Sequence, residues 1–174
     1  MEAAIPPLEL PLAKGGVAFW LDSYTVGHVL PAEEGKGQEL YAISVKVEEQ
    51  SVTSPKSPLL VGSFPPGTTV GDFKYSKDAK RLVFSAYVYS DVDLTTVEEQ
   101  NEEYENRGNT AYVYDETYER HWDTWAGPKK SSLFTVQLAK NEDDKWTLGN
   151  DWAAPLKGTK HVGLFAYNPY ISSY

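Results

Sequence analysis

The 174 residues carry 25 acidic and 16 basic side chains, a formal charge of −9, and no cysteine. Those totals exclude disulfides, thiolate chemistry and cysteine-based metal sites, and they disfavour nucleic-acid binding, which needs a basic patch to displace phosphate counterions. An apolar content of 41% with five tryptophans supports a packed core, yet no run approaches the roughly eighteen apolar residues of a membrane span.

Residues 1–14 are rich in proline (Pro6, Pro7, Pro11) and read as an extended lead-in without the basic and apolar regions of a secretory signal. Gly15-Gly16 closes it. Residues 17–29, VAFWLDSYTVGHV, form a strand candidate with Trp20 and Tyr24 as packing residues. A polar loop over 31–37 leads to a short strand at 40–45, and 48–58 read as a surface loop. Residues 59–64 form a further strand, ended by Pro65-Pro66-Gly67. In residues 72–89, DFKYSKDAKRLVFSAYVY, Phe73 and Tyr75 alternate with polar residues, a tight turn follows over 76–80, and 82–86 return as a strand.

The charge is unevenly placed. Residues 91–119 hold ten acidic side chains and one basic, and the remainder is balanced. Within the acidic insertion at 91–109, Thr95 with Glu98 and Thr96 with Glu99 both fit a capping box, and Gly108 fits a stop. The spacing predicts one short helix inserted between strands, a solvated decoration rather than a binding surface. The acidic run lacks the spacing of a calcium loop.

Tyr112-Val113-Tyr114 begin a run dense in aromatics, Asp123 to Pro128 break it, and residues 131–138 alternate cleanly, so 111–138 read as a hairpin. Tyr118, His121, Trp122 and Trp125 also fall on a helical stripe. The β-favouring composition decides for strand. Residues 141–145 are a charged turn, 146–155 a short strand with loop, and 161–174 an apolar, aromatic tail. A weak repeat joins the two halves. Residues 39–45 and 132–138 share an x-Leu-aromatic-x-β-branched outline, 93 residues apart. That exceeds the about 40–50 residues of a compact propeller blade, and the insertion and long hairpin account for the excess.

Catalytic chemistry is sparse. No serine has glycine both two before and two after it; Ser63 comes nearest, but Pro65-Pro66 follow, and it reads as a buried-loop serine. His28, His121 and His161 are too scattered for metal ligation. His121 and Asp123 share a strand face without creating a nucleophile, and packing among strands is the default role for His121 and Trp122. Arg120 pairs most simply with Glu116 or Glu119.

The segments Tyr114-Asp115-Glu116-Thr117-Tyr118 and Arg120-His121-Trp122-Asp123-Thr124-Trp125 resemble the propeller domain of secreted fungal dipeptidyl-peptidase V, a serine peptidase group of the prolyl oligopeptidase family. The likeness is looser over roughly 15–161. Residues 73–85 are similar to the F-x-x-S-x-D-G-K-x-L-x-F-S signature of such propellers, with Ala79 where glycine is usual, so a turn avoiding the left-handed region is expected there. The resemblance implies an all-β fold: a partial β-propeller of about two blades of antiparallel strands over 15–160, with one short inserted helix, a lead-in at 1–14 and a divergent tail at 161–174 that reads as truncation. It also implies a secreted exopeptidase that removes dipeptides from peptide N-termini. Its propeller would restrict peptide substrates on their way to an α/β-hydrolase domain bearing the triad. On this reading the chain holds no catalytic residue, metal or cofactor and meets neither nucleic acid nor membrane. Arg120, His121 and Trp122 are its candidates for touching substrate. The alternatives are a stand-alone β-rich binding module and a non-functional truncated product.

Overall fold

The computed structural model describes residues 16–32, 37–48, 51–53, 57–108 and 127–159. The lead-in, the tail and the first arm of the hairpin expected at 111–138 lie outside the described residues. Strands β1 (Val17–Asp22), β2 (Thr25–Pro31), β3 (Gln38–Ser44) and β6 (Leu59–Ser63) form one antiparallel sheet in that order, with a small hairpin of β4 (Lys46–Glu48) and β5 (Ser51–Thr53) inserted before the last. Strands β7 (Val70–Ser76), β8 (Arg81–Val88), β9 (Lys130–Lys140) and β10 (Trp146–Leu148) form the second, with helix α1 (Val97–Glu105) between β8 and β9. The described residues are thus mainly antiparallel β with one short helix, in keeping with the all-β expectation. Each sheet is a meander in chain order, and the two stack with β1 against β7 and β6 against β10.

Alternation builds the core. In β8, Leu82, Phe84, Ala86 and Val88 are buried while Arg81, Val83, Ser85 and Tyr87 point to the other side. Phe84 lies at the centre, its ring 5.3 Å from Phe64, 6.0 Å from Phe134 and 6.2 Å from both Phe73 and Trp152. Phe19 of β1 stacks on Phe73 of β7 at 5.3 Å, so aromatic pairs, each contributing about 0.5–1.5 kcal/mol beyond area burial, join the sheets.

Several expectations are corrected. Residues 17–29 are two strands, because the Asp22 carboxylate accepts the Tyr24 N–H at 2.8 Å and turns the chain at Ser23-Tyr24. Trp20 and Tyr24 are not packing residues: they are 62% and 65% exposed, because Trp20 sits opposite Val26 on the side of the sheet facing away from the second sheet. The expected loop at 48–58 contributes β5 to a hairpin. Helix α1 has no side-chain cap; the Thr96 hydroxyl donates instead to Asp91 at 2.6 Å. The insertion is more than a decoration, since Leu94 and Val97 reach the core and are fully buried. In the turn at 77–80 the left-handed residue is Lys80 (φ 51°), one place beyond Ala79.

Candidate functional site

The two copies of the Leu-aromatic outline fall on equivalent strands. Leu40-Tyr41 lie on β3 and Leu133-Phe134 on β9, the third strand of each meander. Leu40 is fully buried in the core between the sheets and Tyr41 points away from it. In the second copy the order is reversed with respect to that core: Phe134 is buried in it, opposite Phe84, while Leu133 lies opposite Ser85 on the outer side. Equivalent residues therefore point the same way along the stack.

The outer face of the first sheet is apolar. Trp20, Val26 and Ile43 form one cross-strand row, and Ala18, His28, Tyr41 and Leu60 form the next. Val26, Ile43 and Val45 make a second buried cluster separate from the main core, while Trp20 and Leu60, on the two edge strands, stay exposed. Exposed large apolar side chains grouped on one face mark an interaction surface.

The outer face of the second sheet is tied together by polar groups. Arg81 pairs with Asp151 at 2.8 Å and donates from Nε to the Thr135 hydroxyl at 3.3 Å. Asp151 also accepts the Gln137 N–H at 2.8 Å, standing in for the backbone between the end of β10 and the isolated bridge of Ala153 to Thr135. Burial pushes the Asp151 carboxyl up, but the Gln137 N–H and Arg81 together hold it below the ordinary value. Ser85 donates to Asp72 at 2.6 Å on the same face.

Two further polar residues hold key positions. Asn101, on α1, donates to the Gly67 carbonyl at 3.2 Å and accepts from the Tyr89 hydroxyl at 3.1 Å and Lys129 Nζ at 3.0 Å. Burial lowers the Lys129 pKa below the usual lysine value. Gly67 has φ +72°, and a Cβ there would lie 2.8 Å from the Glu98 Cα, so the helix can seat only on glycine. His28, 3% exposed, has no hydrogen-bond partner at Nε2 among the described residues, and burial draws its pKa below the usual histidine value. Sequence reasoning named His28 only to set it aside as a metal ligand, and it did not reach Asn101. The signals were a Val26-His28-Leu30 alternation and a Leu94-Val97-Asn101-Tyr104 helical stripe.

Of the residues expected to touch substrate, Arg120, His121 and Trp122 lie outside the described residues. Ser63 is not a buried-loop serine: it is exposed at the end of β6, opposite Glu39, because the chain turns only after it, where Phe64 enters the core. Among the described residues no group of three or more His, Asp or Glu side chains is placed to hold a metal, and no helix is long and apolar enough to cross a membrane. Comparison with family models, with curated proteins and with solved structures finds no match to this chain.

Proposed function

We propose that this chain forms two consecutive blades of a β-propeller in a dipeptidyl-peptidase V-like serine peptidase, where they gate the passage of peptide substrates to an α/β-hydrolase domain. The observation that carries the blade reading is the sense of the repeat. In a two-fold sandwich, equivalent residues of both sheets would point inward. In a ring, each sheet repeats the previous one by rotation, so equivalents point the same way round. Leu40, toward the second sheet, and Leu133, away from the first, follow the rotational sense. The same rotation matches Tyr41 with Phe134, which is buried against the preceding sheet. Tyr41's own face, with Trp20 and Leu60, is then where another sheet would stack. The peptidase assignment rests on the likeness at 114–125.

Two measurements test the reading. The purified chain is expected to turn over no dipeptidyl chromogenic substrate and to resist labelling by a fluorophosphonate; labelling of a serine in this chain would overturn the assignment of gating without chemistry. In size-exclusion chromatography with light scattering, the wild type is expected to self-associate, and Trp20→Lys with Leu60→Lys to restore the monomer. A wild type that stays monomeric at high concentration favours the second reading, a stand-alone binding module, which the exposed Trp20 and Tyr24 support.

A further inference from the structure

His28 stands out among the titratable groups because of what rests on it. Its partners across the ladder are Ala18 on β1 and Tyr41 on β3. Gly16, the residue before β1, lies directly over the ring: a Cβ at that position would overlap His28 Nε2 and come within 2.9 Å of Leu30 Cδ2. Any side chain there would have to displace the imidazole and Leu30. The backbone of Gly16 therefore closes Nε2 off from water while offering it nothing to bond.

Among the described residues, none supplies the ring with a paired charge. On β1 the facing residue is alanine, and on β2 the neighbours on the same face are Val26 and Leu30. On β3 the ionisable groups are Tyr41 and Glu39, and the Glu39 carboxylate already accepts the Tyr41 hydroxyl at 2.6 Å. A neutral imidazole tolerates this setting. An imidazolium does not, because its second N–H would be buried at Nε2 without an acceptor, and Gly16 fills the space in front of that atom.

We propose that His28 is an acid-operated latch: neutral, it seats Gly16 and the start of β1 against β2, and protonated, it drives that end of β1 off the sheet. The rest of β1 is held independently, since Phe19 stacks on Phe73 and Leu21 is buried in the main core. Opening is confined to the Gly16 end. It bares His28 and the neighbouring Tyr41, so mild acid enlarges the outer face of the first sheet. The direction agrees with linkage: burial lowers the histidine's folded pKa, so stability at this end is present above the ordinary histidine range and is lost as pH falls below it.

The test is amide hydrogen exchange by mass spectrometry on the whole chain, at about pH 7.5 and about pH 5, either side of the ordinary histidine range and corrected for intrinsic rates. In the wild type, protection at the start of β1 should fall about tenfold for each pH unit below the ordinary histidine pKa, down to the folded one. His28→Gln, which cannot titrate, should show equal protection at both values. Gly16→Ala should be less protected than wild type at the higher pH, because its methyl displaces the imidazole that seats this end. Equal protection in the wild type, or the same acid loss in His28→Gln, overturns the latch. Should either variant fail to fold, an NMR titration of the wild-type imidazole decides alone. His28 should stay neutral below the ordinary histidine range, and titration within that range refutes the proposal.

Discussion

Replacing Asn101 by alanine should release the inserted helix. The amide is a three-way junction: it reaches the β6–β7 link at Gly67, the end of β8 at Tyr89, and the approach to β9 at Lys129. A neutral hydrogen bond contributes about 0.5–1.5 kcal/mol net, and one to a charged group about 1.5–3 kcal/mol. All three bonds are part-buried and one is 3.2 Å long, so the low end of each range applies, and the sum is about 2.5 kcal/mol. In a chain of this size that corresponds to a fall in Tm of about 5–10 °C. Calorimetry and urea titration would measure it. Asn101→Asp keeps both acceptor contacts but sets a carboxylate oxygen against the Gly67 carbonyl, so it should recover only part of the loss. A double-mutant cycle with Lys129→Met should return a coupling of about 1 kcal/mol or more. Asn101→Ala within about 0.5 kcal/mol of wild type, the range of an ordinary surface change, would refute the view that this amide seats the helix.

Lys80→Gly should stabilise the protein, because φ 51° at Lys80 is strained for any residue with a Cβ. Relief of about 1–2 kcal/mol, less the added unfolded-state entropy of glycine, about 0.4–1 kcal/mol, leaves a gain of about 0.5–1 kcal/mol. Ala79→Gly should bring no such gain, and thermal melts of the pair would separate the two positions. The Asp151 carboxyl is held below its ordinary value when folded, so the unfolded chain takes up its proton first as pH falls, and stability is lost from about pH 4 downward. Asp151→Asn should flatten that acid limb in urea midpoints measured across the range; an unchanged limb would show that the Arg81–Asp151 pair contributes nothing.

Much of the second sheet is legible in the sequence, because β8 and β9 are long, uninterrupted and buried on one face, so Leu82-Phe84-Ala86 and Phe134-Val136-Leu138 announce themselves by period alone. The first sheet is harder to read. The run at 17–29 has no glycine or proline at its break, since the turn is made by the Asp22 side chain rather than by backbone freedom. Trp20 misleads because large aromatics are usually buried, whereas here the strand's alternation places it on the outer side. Leu94 and Val97 are hidden by their acidic surroundings, where net charge masks two apolar residues three apart on one helical stripe. The candidate site was legible only as a repeat. Which way Leu40 and Leu133 point depends on how the sheets stack, and no local pattern carries that.

The short link at 64–69 has a consequence for how the molecule can be put together. Every strand pair of the first sheet closes before it and every pair of the second opens after it, so a cut in the backbone at Pro66 would interrupt no ladder. Two separately produced polypeptides, divided there, would each carry a complete meander but bury its inner face only by meeting the other through Phe64, Phe73 and Phe84, which makes the protein a natural subject for fragment complementation.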